Sequence, residues 1–149
     1  MSPYLLKTLG YAPNVLEKLI RSVPVERFDE ALGPDRFTLR HAIAHWSDWE
    51  PIFQERIRLV LSEENATIVV YDEGQRAIDL SYDDWDVFES IEKLKTARAH
   101  TASMVAAIPM ELFRKPFIHP EAGPLVLEDL IQMIQGHDMY HLEQVSQYV

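Results

Sequence analysis

Cysteine is absent from this chain, which removes disulfides, thiolate metal ligands and a cysteine nucleophile together. Any bound metal must then use histidine, carboxylate, backbone or water. Glycine is scarce, with five residues in 149, too few for the turns of an all-β fold. No lysine or arginine block is present, and 24 acidic against 14 basic side chains give a formal charge of −10. Nucleic acid is therefore not expected as a partner. No window approaches the ~18 uninterrupted apolar residues of a membrane span. The opening "MSPYLLKTLG" lacks a basic segment followed by an apolar run, so neither a membrane nor a secretory role is expected, and the expected location is cytoplasmic.

What is present suits a helical protein with one core. The hydrophobic content is 47% and the charged content 26%, and the length fits a single domain over residues 1–149. Apolar positions of "SPYLLKTLGYAPNVLEKLIRSV" recur at helical spacing, with Ser2 as a candidate N-cap, Pro3 at the first helical position, and Gly10 and Pro13 as interruptions. A second helical pattern starts at the candidate N-cap Thr38 and runs to about residue 65, with Pro51 predicting a kink near His45. Residues 64–85 are expected to be a long loop, because the strand-like "TIVV" has no partner in an otherwise helical chain. A third helix is expected over 84–108, inward at Phe88, Ile91, Leu94, Ala102, Val105 and Ile108, and a last one from about Gly123-Pro124 to the end. The predicted fold is all-α, a four-helix bundle with long crossover loops.

Histidine placement is the most informative feature. In steps of three and four, the inward stripe of the last helix reads Leu127, Ile131, Ile134, His137, His141, Val145, Tyr148. Both histidines thus take core-facing positions, where imidazoles are costly unless hydrogen-bonded or ligated. Spacing of i and i+4 lets two side chains converge on one ion. In the second helix His45 shares a stripe with Ala42, Trp49, Ile52 and Leu59, which offers a third imidazole, and borderline ions such as zinc commonly take three protein nitrogens. His41, one turn nearer the helix start, is the alternative third ligand. His100 sits among polar neighbours, and His119, in "FIHPEAGP", is a candidate for the site rim. "HDMYH" differs from the zinc-protease HExxH by the shorter Asp138, and the strands of that class are missing. Asp138 is either an acceptor for a ligand imidazole or a solvated surface charge. The aromatic residues Tyr11, Trp46, Trp49, Trp85 and Tyr140 read as core rather than as a ligand-stacking box.

Three stretches, "FTLRHAIAHWSDWE", "HPEAGPLVLEDLIQMI" and "GHDMYHLEQV", resemble motifs of the DinB-like (YfiT/DinB) family of metal-binding four-helix bundles, which is distinct from the polymerase that shares the name. The resemblance covers nearly the whole chain. It implies a three-histidine metal site at His45, His137 and His141. By the same resemblance Asp48 and Glu50 are either supporting groups or helix-face acids, with Glu50 assigned to the surface, and Gln144 either bonds near the metal or is an ordinary interior residue. The implied cofactor is a divalent metal, zinc in the first instance with nickel or iron as alternatives, together with a low-molecular-weight thiol. The implied activity is thiol S-transfer or hydrolysis on a small-molecule substrate, by a homodimer, with a non-catalytic metal-stabilised binding module as the alternative. The resemblance singles out no catalytic or cofactor-binding residue beyond the metal ligands.

Overall fold

A computed structural model describes residues 3–149, with the side chain of Pro3 left aside; the Ser2 cap lies outside the described residues. Among the described residues there are six α-helices and one hairpin: α1 Pro3–Thr8, α2 Ala12–Ile20, α3 Leu39–Ser62, α4 Glu73–Asp79, α5 Val87–Ala106, strands β1 Pro116–His119 and β2 Gly123–Val126, and α6 Leu127–Ser146. The helical break in the first segment falls at residues 9–11, and Pro13 sits in the first turn of α2 rather than interrupting it, where its missing N–H has no ladder partner to lose. Helix α3 starts where the Thr38 side chain accepts from the His41 N–H, and it continues through Pro51 to Ser62. Helix α5 starts at Val87, three residues later than expected, because the Asp86 side chain accepts from the N–H groups of both Phe88 and Glu89.

Helices α2 and α3 each pack against both α5 and α6, so they stand at opposite corners of a four-helix bundle. Along the bundle the apolar core divides into two large clusters, with a small third one of Ala44, Ala77 and Tyr82 beside them. One cluster holds Ile57, Val60, Val105, Leu127, Ile131 and Ile134; the other holds Leu16, Ile43, Trp46, Ile91, Leu94, Val145 and Tyr148. Between them lies a band of buried polar side chains: His45 and Glu50 from α3, Arg98 and Thr101 from α5, Asp138, His141 and Gln144 from α6. Helix α3 is buried on nearly every side, which is why polar residues on several of its faces are enclosed.

Several expectations are corrected. The 64–85 segment is not wholly loop, since α4 forms there, capped by Asp72 through the Gln75 N–H. "TIVV" does have a partner, because the Ile68 N–H donates to the Ile118 carbonyl at 3.1 Å and the Ile118 N–H to the Ala66 carbonyl at 2.8 Å, a parallel bridge onto β1. Residues 123–126, read as the start of the last helix, instead pair antiparallel with 116–119, and Gly123 takes φ +80°, a left-handed value suited to glycine. Phe88 is 41% exposed and not part of the inward stripe. Of the aromatic residues read as core, Trp46 and Trp49 are buried and Trp85 is half-buried, while Tyr11 and Tyr140 are exposed.

The Asp86 cap serves two otherwise unpaired N–H groups, so Asp86→Ala should destabilise the protein by roughly 0.5–2 kcal/mol. A urea unfolding midpoint equal to that of the parent would show that the cap carries no weight.

Candidate metal centre

His45 projects from the middle of α3, and His137 and His141 project one turn apart from α6. Their ring nitrogens meet: His137 Nε2 lies 3.1 Å from His45 Nε2 and 3.1 Å from His141 Nε2. One ligand atom from each of the three falls within 4.8 Å of the other two. Nitrogens around a tetrahedral zinc with bonds of about 2.0–2.1 Å stand roughly 3.3 Å apart, close to this spacing.

Hydrogen bonding alone does not satisfy the cluster. Gln144 Oε1, which can only accept, lies 3.1 Å from His141 Nδ1, so Nδ1 carries the proton and Nε2 presents a lone pair to the centre. His137 Nε2 faces two nitrogens and can either donate once or accept, so one of its two contacts must be lone pair against lone pair or unpaired. The Nδ1 atoms of His45 and His137 are buried without a partner among the described residues. A cation at the centre takes all three lone pairs, and the donor set therefore fits a divalent metal of borderline softness.

Aromatic side chains wall these rings. Trp49 lies with its centroid 4.5 Å from His45, Phe53 contacts His137 edge-on at 5.5 Å, and Trp46 stacks on His141 at 5.4 Å. Burial, reinforced by the His141 and Arg76 charges, lowers the His45 pKa from 6.5 to about 3; burial lowers His141 to about 4 against the pull of Gln144; His137 is pushed down further, again chiefly by burial. All three imidazoles are neutral near pH 7, the protonation state that ligates metal.

Beside them lies the buried charge layer. Arg98, 1% exposed, donates from Nε and Nη2 to both oxygens of Glu50 at 2.8 Å, from Nη1 and Nη2 to Asp138 at 2.6 and 2.7 Å, and from Nη1 to the Leu9 carbonyl at 2.8 Å. Thr101 donates to Glu50 at 2.5 Å, and the Trp46 indole N–H donates to Asp138 at 2.9 Å. Burial works to lower the Arg98 pKa, but its hydrogen bonds to Asp138 and Glu50 outweigh burial and raise it. Burial raises Asp138 against the effect of Arg98, yet all three of its hydrogen bonds are accepted ones, the pattern of an ionised carboxylate. Two carboxylates against one guanidinium leave one net negative charge next to the imidazoles, which favours a cation there.

The other candidates separate cleanly. His41 is not in the cluster; its Nε2 pairs with Asp83 at 2.7 Å. His100 lies near Arg58, on the surface. His119 is buried at the rim, its Nδ1 accepting from the Glu121 and Ala122 N–H groups at 3.2 and 3.3 Å. Asp48 is half-buried and anchors α4 and the turn after it, accepting from Arg76 and from the Tyr82 hydroxyl. Glu50 is corrected from the surface to the interior, where it is 1% exposed. Asp138 touches no ligand imidazole through a hydrogen bond and is not solvated; held by Arg98 and Trp46, it is not free to act as a base. Sequence reasoning missed Arg98, although it falls on the three-and-four spacing of the buried Ile91, Leu94, Thr101 and Val105. Two cavities reach the cluster from different sides: one of about 340 Å³ against His137, and one of about 290 Å³ against His141 and Tyr140, with Glu73 at the start of α4 bordering both.

Residues 8–145 match the family model of the DinB superfamily, and the chain belongs to that superfamily. A Bacillus cereus (strain 03BB102) protein named "Putative metal-dependent hydrolase" is 26% identical over 134 residues, covering 90% of this chain and 77% of its own length. A Bacillus anthracis (strain A0248) protein of the same name is 25% identical over 134 residues, with the same coverage. The solved structure of YfiT from Bacillus subtilis, whose title gives it "an unusual four-helix bundle topology", superposes with a TM-score of 0.91 at 19% identity, over 99% of this chain and 87% of that one. The fold is thus the four-helix bundle read from the sequence. No helix among the described residues is long and apolar enough to cross a membrane.

Two outcomes follow from these energetics. Arg98→Met leaves Glu50 and Asp138 buried together without a counter-charge and should cost about 3–5 kcal/mol in urea unfolding; a loss below about 1 kcal/mol would mean that the layer is hydrated. In the metal-free protein the folded histidines refuse protons that the unfolded chain binds below pH 6.5. Stability should therefore be fully present above pH 6.5 and fall as the pH drops toward about 4, where His141 begins to titrate in the folded state. Thermal melts that stay flat between pH 7 and 5 would contradict buried neutral rings.

Proposed function

We propose that His45, His137 and His141 bind one divalent metal, zinc in the first instance, and that the protein is a metal-dependent enzyme performing hydrolysis or thiol S-transfer on a small molecule. The observation that carries this proposal is the 3.1 Å convergence of three imidazole nitrogens that hydrogen bonding cannot satisfy. When bound, such a cation supplies Lewis acidity, lowering the pKa of a coordinated water or thiol toward neutrality. In a chain without cysteine, any reacting thiol comes from substrate or cofactor.

The chain's own groups have separable tasks. Gln144 holds the His141 tautomer, and Trp46, Trp49 and Phe53 exclude water around the rings. The Arg98 layer sets the relative height of α3, α5 and α6, and so the distance between His45 and the α6 pair. The two cavities give a substrate and a second reactant separate approaches. That His45 from α3 and the pair from α6 clamp two helices together favours the second reading, a structural metal in a ligand- or protein-binding module. Exchange separates the two readings: an open position should bind a small probe such as azide, which a closed site refuses. The assembly we propose is a cytoplasmic homodimer, which sedimentation at micromolar concentration would reveal as a single species of twice the chain mass.

His141→Ala should lose stoichiometric metal and any activity on a panel of esters, amides and thiol-plus-electrophile pairs. Parent protein purified without a histidine tag should contain about one equivalent of metal by elemental analysis and melt at lower temperature after chelation. Full metal retention by His141→Ala would overturn the assigned site.

A further inference from the structure

This acidic chain buries two arginines, and they are treated differently. Arg98 has two carboxylates and a carbonyl around it. Arg56 on α3, 7% exposed, makes one hydrogen bond among the described residues, from Nη2 to the Val69 carbonyl at 2.7 Å. Its Nε is buried without a partner, and no carboxylate of the described residues is ion-paired with it. A buried guanidinium without a counter-charge is unfavourable. Burial lowers the Arg56 pKa against the smaller opposing effects of Tyr71 and Glu55, the opposite outcome to Arg98.

Arg56 lines the cavity of about 340 Å³ that also receives His137 and His119. His119 Nδ1 accepts two backbone N–H bonds, so the proton of the neutral ring is on Nε2, which has no partner among the described residues. The buried lining thus offers two donors, a cation and an N–H, next to one nitrogen-bearing member of the histidine cluster. Two acids, Glu73 and Glu121, share the lining; both residues are exposed, and partial burial raises the Glu73 pKa, which favours its neutral form. A cavity of this volume takes a ligand of metabolite size.

We propose that Arg56, assisted by His119, recognises an oxyanion of the substrate, a carboxylate or a phosphate, and so holds the substrate's other end against the His45, His137 and His141 cluster. This names a substrate class for the site and rests on the metal reading above. Arg56 is here a binding and positioning residue: its planar fork suits a two-oxygen anion, and burial makes the pairing strong. Its contact with Val69 has a purely structural rival, a tie that pins residues 66–69.

The test uses the full chain loaded with zinc and three probes: succinate, inorganic phosphate and the uncharged succinamide. Calorimetry should show binding of an anion and none of succinamide, with the tighter of succinate and phosphate identifying the oxyanion. Arg56→Gln should weaken that binding by roughly tenfold to a hundredfold, and Arg56→Lys by less, while zinc content stays at the parent level. In the unaltered protein the Arg56 Nε–H resonance should shift on adding the anion, a readout that holds even where a variant folds poorly. Unchanged anion affinity in Arg56→Gln, with or without a lower melting temperature, overturns the proposal and leaves Arg56 as a structural tie. So does an unmoved Arg56 resonance at saturating anion. Failure of the metal reading looks different: no zinc is bound by the parent, while the anion titration of the zinc-free chain still reports on Arg56.

Discussion

The bundle is organised by one buried ion-pair layer, Arg98 between Glu50 and Asp138, at mid-height between two apolar clusters. Placing a guanidinium and two carboxylates in a dry interior is unfavourable unless nearly every donor and acceptor is matched. Here the match is complete on the arginine side, with bonds to α3, α6 and the turn between α1 and α2. Sliding any one helix by a turn would bring a charge level with Leu94 in one cluster or with Phe53 and Ile134 in the other. Register is therefore specified by charge as well as by shape.

The histidine cluster inherits this registration. Trp46 connects the two features, since its indole N–H bonds Asp138 while its ring stacks on His141. The site consequently lies within the bundle wall rather than on a terminal loop, and its rigidity derives from helices. Helix α4, held to α3 through Arg76 and Asp48, supplies the cover and borders both approaches to the cluster.

The long helices and the three histidines were legible because each depends on a local period: an apolar stripe reveals its inward face, and a polar residue on that stripe stands out. His137 and His141 interrupt such a run on α6, and His45 does so on α3. Arg98 interrupts the α5 stripe in the same way, four residues from both Leu94 and Ala102, but the stripe was traced past it through its apolar members alone. Glu50 was misplaced because α3 was read as one-sided, and only packing on several faces buries it. The hairpin at 116–126 was illegible for a different reason. Each strand has four residues and carries a proline, so neither alternation nor propensity rises above a loop, and its stability comes from pairing and from the bridge to residues 66–68.

Pro13 acquires a meaning from its position four residues after Leu9. In a continuous helix the Leu9 carbonyl would look to the N–H of residue 13, and proline has none. That oxygen is left free and turned inward, and Arg98 takes it. The broken first helix is thus a device for exporting one backbone acceptor to a side chain on another helix, and an uninterrupted rod would have kept that acceptor for itself.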